Sequence, residues 1–207
     1  STLCEQMGVA ALAIQEESGG AGFPLAETYV VLEELGHALT PTPLLASVVA
    51  SAALLAVPRS LSLSKGLLER IAAGTVATLA WSGVTGTADA PVGVTWSDGT
   101  LTGKVSPVLY GDVAEILLVV AEHDGGIGLF TVDPTAVTRT KVSGLDPTLG
   151  FADLEFANTP AEPVTLDAAE ALARTLRVGT LAVAALQAGC AQRGRDITVE
   201  YTKQREQ

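Results

Sequence analysis

The side chains that could do chemistry are few and far apart. His37 and His123 are the only histidines, and Cys4 and Cys190 the only cysteines, among 207 residues. Neither histidine stands with cysteine, histidine and carboxylate partners at metal-ligand spacing, so no metal site is expected. Glu16-Glu17 and Glu33-Glu34 supply carboxylates in pairs, but adjacent residues on a helix do not face each other. They read as solvated faces rather than an acid–base couple. Glycine clusters at 19–22 and 125–128 lack the strand-then-helix setting of phosphate-binding loops and read as turns. Arg193, Arg195, Lys203 and Arg205 gather positive charge near the end of a helical stretch, where the helix macrodipole favours cations.

Three stretches of different texture would have to position these residues. From Ser1 to about Val57 apolar residues recur at helical spacing, with Val30, Val31, Leu35 and Ala38 on one face and Glu27, Glu33 and Glu34 pointing away. Glycines and a proline interrupt the helices between Glu17 and Pro24. Thr40-Pro41-Thr42-Pro43 predicts a stiff connector before a helix over Leu44 to Val57, with one more short helix over Leu67 to Ala73. From Thr75 to about Pro163 short β-branched runs predict strands over 75–81, 93–96, 101–105, 116–121, 128–132, 138–142 and 153–156. Ser97-Asp98-Gly99 and His123-Asp124-Gly125-Gly126 are hairpin signals, and the whole predicts a small antiparallel barrel or sandwich. From Asp167 onward Leu172, Leu176, Val183, Leu186, Cys190 and Ile197 are roughly in phase, with no proline after Pro163. One helix of ~40 residues, about 60 Å long, follows. Apolar on more than one side around Val178 to Ala191, it requires partner helices or another subunit.

Composition excludes several roles. With 23 acidic against 12 basic residues the formal charge is -11, the wrong sign for neutralising phosphates, so no nucleic-acid partner is expected. An anionic ligand would need a local basic pocket. Two distant cysteines and the absence of a secretory leader pattern point to a reduced, cytoplasmic setting. The longest uncharged run, Thr40 to Pro58, contains an apolar part of core-helix length rather than the ~20 residues of a membrane span, so no membrane partner is expected.

Three segments carry a resemblance to the acyl-CoA dehydrogenase family. Met7-Gly8-Val9-Ala10-Ala11-Leu12-Ala13-Ile14-Gln15-Glu16-Glu17-Ser18-Gly19-Gly20-Ala21-Gly22, then Val31-Leu32-Glu33-Glu34-Leu35-Gly36, is similar to the family's "GLxxPEExGGxG … ExLG" segment, with Gln15 where proline is usual. Leu101-Thr102-Gly103-Lys104 through Ala121 resembles its middle-domain hairpin, and Tyr201-Thr202-Lys203-Gln204-Arg205-Glu206-Gln207 resembles its "YxxxRxQ(FG)" helix end. The resemblance implies an α+β protein: an N-terminal helical segment over 1–74, a middle antiparallel β-barrel domain over 75–163, and over 164–207 the long first helix of an incomplete C-terminal helical bundle. The family's first helices would precede Ser1, and its later helices would follow Gln207.

The resemblance also implies a chemistry: a carboxylate removes a proton from the α-carbon of an acyl-CoA thioester while hydride leaves the β-carbon for FAD bound between subunits. Here Ser82 and Gly86-Thr87 stand as remnants of the flavin-binding "TEP … GSD" segment, and Pro107-Val108-Leu109 replaces the "WIT" beside the flavin ring. A glutamate base carried on the long helix would fall at Gly179, and its neighbouring arginine at Thr180, so no catalytic residue is assigned to this chain. Arg205 and Gln207 match the residues that reach the FAD pyrophosphate of the neighbouring subunit, where a guanidinium fork suits a diphosphate. The implied role is the non-catalytic partner in a heteromer, such as a heterotetramer, like the paired actinobacterial enzymes of steroid side-chain β-oxidation. A second acyl-CoA dehydrogenase subunit, or another copy of the chain, would then be its partner. The alternative is a flavin-free structural or acyl-CoA-binding relative.

Overall fold

The computed structural model describes residues 8–58, 62–81, 92–146 and 148–205. Its element order is the expected one: helices, a β-rich middle and a long final helix. Short 3-10 turns at Val9–Ala11 and Glu16–Ser18 lead into α1 (Leu25–His37), α2 (Leu44–Ala56) and α3 (Ser62–Ala72). α2 is buried on nearly every side, from Leu44 through Leu54, which explains a sequence with no polar face beyond Ser47 and Ser51. α3 begins five residues before the expected Leu67. On α1 the buried stripe is Thr28, Leu32, Leu35 and Gly36, while Val30 is 60% exposed and Ala38 lies outside the helix. The expected face was therefore turned by about one residue. Val30 and Val31 are neighbours in sequence and project ~100° apart, so both cannot lead into the core.

Among the described residues seven strands follow: β1 (Ala77–Ala80), β2 (Val94–Ser97), β3 (Thr100–Leu109), β4 (Ile116–His123), β5 (Gly126–Val132), β6 (Thr138–Val142) and β7 (Phe151–Thr165). The pairings β4–β5, β5–β7, β7–β3 and β3–β2 are antiparallel. A parallel bridge between Thr95 and Glu122 closes the ring from β2 to β4. β1 runs parallel along the first half of β4, from Ala77 beside Ile116 to Ala80 beside Val119, and β6 pairs with β7. Both hairpin turns lie where the sequence signals them. Asp98-Gly99 and Asp124-Gly125 take positive φ at both positions, as a two-residue turn matching strand twist requires.

β4 serves two cores at once. Leu117, Val119 and Ala121 point into the barrel with Phe130, Leu154 and Phe156, while Ile116, Leu118 and Val120 pack with Leu44, Val48 and Leu54 beneath the helices. Burial on both faces explains why Ile116 to Ala121 is an unbroken apolar run rather than an alternating one.

The last element, α4 (Ala169–Gln204), is a single helix of 36 residues. Its first two-thirds lie across α1 and α2, and from Ala191 onward every described residue but Asp196 is exposed. The crossing with α1 is a backbone contact. A Cβ added at Gly189 would lie 1.9 Å from the Glu33 carbonyl oxygen, and one at Gly36 2.2 Å from that of Leu186. Gly189→Ala is therefore expected to destabilise the chain by ~1–3 kcal/mol through overpacking, although alanine is intrinsically the better helix former. Gly194→Ala, five residues on and with open space around the added Cβ, is expected to raise stability by ~0.5–1 kcal/mol. Paired thermal melts of the two variants check both signs.

Candidate functional site

Where the helices meet the barrel they leave a cavity of about 470 Å³. α2 contributes Leu45 and Val49; β1 contributes Leu79, and Trp81 follows directly on its end; Leu109 comes from the end of β3. The remaining wall is one stripe of α4: Thr175, Leu176, Gly179, Thr180, Val183, Ala184 and Gln187, at the three-and-four spacing of a single helix face. Leu79 and Trp81, two apart along β1 and its continuation, both reach this cavity. Thr78 and Ala80 point the other way and are fully or almost fully buried.

The polar groups around this cavity are mostly committed elsewhere. The Thr175 hydroxyl donates to the Ala171 carbonyl at 2.7 Å and the Thr180 hydroxyl to the Leu176 carbonyl at 2.8 Å. The buried Thr78 hydroxyl donates to the Leu109 carbonyl at 2.7 Å, and the Tyr110 N–H donates to the Gly150 carbonyl at 2.7 Å. Both polar groups of the Leu109–Tyr110 peptide are thereby fixed. Tyr110 adopts a left-handed backbone conformation, φ 53°, and burial raises its phenol above the ordinary value against an opposing hydrogen bond with the Thr42 backbone. Among the described residues, none that lines the cavity is ionisable.

The residues singled out from the sequence divide between two places. Gly179 and Thr180 line the cavity, as does Leu109, while Val108 points into the barrel core at 2% exposure. Arg205 follows the last turn of α4, exposed, its backbone N–H donating to the Tyr201 carbonyl at 3.1 Å. Gly179 and the end of α4 are separated by about 38 Å at 1.5 Å per helical residue. Ser82, Gly86, Thr87 and Gln207 lie outside the described residues. Leu45, Val49, Thr175 and Gln187 were not anticipated as site residues. The signal for the α4 members is the small-residue spacing Thr175, Gly179, Thr180, Ala184, which leaves room on one helix face. Neither histidine enters the cavity: His37 Nε2 lies 3.5 Å from the Asp196 carboxylate, and His123 Nε2 lies 2.6 Å from the Leu166 carbonyl oxygen. Among the described residues no cluster of three or more His, Cys, Asp or Glu could hold a metal, and no helix is long and apolar enough to cross a membrane.

A family model described as acyl-CoA dehydrogenase, N-terminal domain, matches residues 2–75. The acyl-CoA dehydrogenase IpdE2 of Mycolicibacterium smegmatis is 36% identical over 206 residues, covering 99% of this chain and 53% of that protein. The chain belongs to the acyl-CoA dehydrogenase family. Two solved structures of the family's steroid and paired kinds are similar across 99% of this chain and 57% of their own. They are the Tcur3481-Tcur3483 steroid ACAD, at 30% identity and a TM-score of 0.82, and the ChsE4-ChsE5 complex from Mycobacterium tuberculosis, at 31% and 0.77. The chain spans about half the length of the relatives it matches.

An acyl-CoA dehydrogenase implies FAD, and the described residues can be tested against it. A flavin ring on the barrel wall needs donors toward its heteroatoms, but this wall presents Leu79 and Leu109, and the peptide beside Leu109 is already hydrogen-bonded. Among the described residues, the Trp81 indole is the side-chain donor on this wall. The described residues do not fit a flavin ring held by this chain alone. The helix end does fit an anion: Arg205 is exposed beside Lys203, both at the tip of α4.

Among the described residues, Asp196 links the tip to the body. Asp196 accepts from Arg195 at 2.8 Å and meets His37 at the end of α1. Hydrogen bonding from Arg195 holds the Asp196 carboxyl below its ordinary value; desolvation opposes this, and His37 adds to it. A depressed carboxyl favours the folded state above the unfolded value of about 4, and that contribution disappears as pH falls through the lower folded value. Amide exchange around residues 190–200 is therefore expected to quicken as pH drops below about 4, after correction for intrinsic rates. Asp196→Asn should already show the faster exchange at neutral pH.

Proposed function

We propose that this chain is a subunit of an FAD-dependent acyl-CoA dehydrogenase that carries out α,β-dehydrogenation of an acyl-CoA thioester. In this reading it is the supporting member of a heteromer in the cytoplasm. Its own regions would divide near residues 74 and 163. The second acyl-CoA dehydrogenase subunit holds most of the flavin and supplies the base, and this chain lends Arg205, with Gln207 beside it, to the cofactor's pyrophosphate. Ser82, Gly86 and Thr87 would be remnants of a flavin loop on the barrel side.

The observation that carries the reading is the contrast between the two ends of α4. Among the described residues the cavity end has no ionisable lining and no threonine or serine on the barrel wall, whereas the tip, about 38 Å away, presents a guanidinium. One extended FAD does not span that distance, so Arg205 and the cavity belong to different cofactor positions. The paired composition named for Tcur3481-Tcur3483 and for ChsE4-ChsE5 supports a two-subunit assembly, and the steroid named for the first supports a bulky acyl substrate. The apolar wall also favours a second reading, a flavin-free relative that binds without oxidising.

Purification with and without the partner subunit separates these readings. Flavin and acyl-CoA dehydrogenation are expected only in the complex; stoichiometric flavin with turnover by this chain alone would overturn the supporting role. A complex with no flavin absorbance would favour the second reading. In the complex, Arg205→Ala is expected to weaken FAD retention by ~1.5–3 kcal/mol, the size of a lost charged hydrogen bond, as read by flavin release during dilution.

A further inference from the structure

Each of the chain's two histidines lies against α4 or its approach: His37 meets Asp196 far along the helix, and His123 meets the joint that launches it. That joint is short, with β7 ending at Thr165 and α4 beginning at Ala169. Two contacts fasten it to the β4–β5 hairpin. The Ala168 N–H donates to the Ile127 carbonyl at 2.8 Å, and His123 Nε2 lies 2.6 Å from the Leu166 carbonyl oxygen. A carbonyl oxygen only accepts, so Nε2 carries the proton of this contact. The Leu172 N–H donates to the Ala168 carbonyl at 2.8 Å, and both residues are buried, so the fastened joint is continuous with the first turn of the helix.

The imidazole is held in place for this contact. It stands edge-on to Trp96 and Phe130, with centroids 6.1 and 6.4 Å away and planes near perpendicular, and those two rings stack on each other at 5.2 Å. A Cβ at Gly128 would come 2.6 Å from the Phe130 ring and 3.2 Å from His123 Cδ2, so the bare glycine leaves both rings where they are. Glu122 and Asp124 of the hairpin share the recess with His123, the joint carries Asp167, and the first turn of α4 carries Glu170. From β2 the neighbours are the uncharged Thr95 and Trp96. We propose that His123 is a pH-sensitive clasp, fastening the first turn of α4 to the barrel more tightly when its ring is positively charged than when it is neutral. Imidazole is the side chain whose charge changes between pH 5 and 8, and a charged donor binds a carbonyl more strongly than a neutral one. Both states keep the Nε2 proton, so the clasp tightens and slackens without opening. The helix it fastens runs on directly to Thr175 and Gly179 of the cavity wall. The clasp is independent of the reaction that the assembly performs.

The test is hydrogen exchange on the full-length protein in complex with its partner subunit, followed in peptides across 164–176 at about pH 5.5 and about pH 8 and corrected for intrinsic rates. Carboxylates titrate near pH 4, so histidines dominate the change of charge over this interval. Corrected exchange is expected to be about three- to tenfold slower at the lower pH, as a neutral hydrogen bond becomes a charged one. His123→Gln retains an N–H donor of similar reach without a titrating ring. It is expected to keep the protection seen near pH 8 and to lose the pH dependence. His123→Ala, with no donor, is expected to exchange faster at both pH values; should it fold poorly, the glutamine variant decides. His37→Gln, at the far contact of α4, is expected to leave the 164–176 pattern intact. Equal corrected exchange at the two pH values in the parent protein, or a pH dependence that persists in His123→Gln, overturns the proposal. Dehydrogenation is not a readout, so failure here is separate from failure of the proposed function.

Discussion

The rest of the architecture hangs on the contact between the α1 and α4 backbones. Gly36 and Gly189 let the two helices approach until carbonyl oxygens occupy the space of missing side chains. Such an approach exists in only one register, because a shift of one residue on either helix puts a side chain where there is no room. That register decides which stripe of α4 faces α2 and the barrel, and therefore which residues line the cavity. It also decides where the helix leaves the body. Beyond Cys190, among the described residues, Asp196 meets His37 on the body, and the basic tip is exposed to solvent.

The barrel supplies the opposite wall by similar economy of position. β4 packs into both cores, so the helical layer and the barrel share one strand and cannot separate without exposing Leu117 or Leu118. β1 continues the sheet from β4, and Thr78 ties it to the Leu109 carbonyl at the bent end of β3. The bend follows from a register shift against β7 between Val105 and Val108. Leu79, Trp81 and Leu109 are thus presented as a fixed apolar surface, whose backbone groups serve the fold and not a ligand.

Much of this is legible in the sequence because the signals are local. Asp-Gly pairs demand left-handed backbone at hairpins, an unbroken apolar hexad demands burial on both faces, and proline-free phased leucines demand one long helix. β7 was anticipated only over Asp153–Phe156, yet it runs from Phe151 to Thr165. Pro160 and Pro163 argue against a strand locally, but each pairs near a turn or a register shift, where a missing donor is tolerated. The cavity is legible only in part: Leu109, Gly179 and Thr180 stand where the resemblance sets the flavin ring and the base, whereas the residues of α2 and β1 join them only through packing. Among them Gly179 stands out in sequence only as the position where a base is missing, whereas its spatial role is to keep a gap open toward Val49.

The glycine crossing also makes α4 a lever. Gly189 lies ten residues from Gly179 and fifteen from Gln204, arms of about 15 Å and 22 Å at the helical rise. A rigid helix tilting by ~5° about that fulcrum carries the cavity wall ~1 Å one way and the basic tip ~2 Å the other. The two ends of the helix are thereby coupled through its own stiffness, with no intervening chain of side-chain contacts.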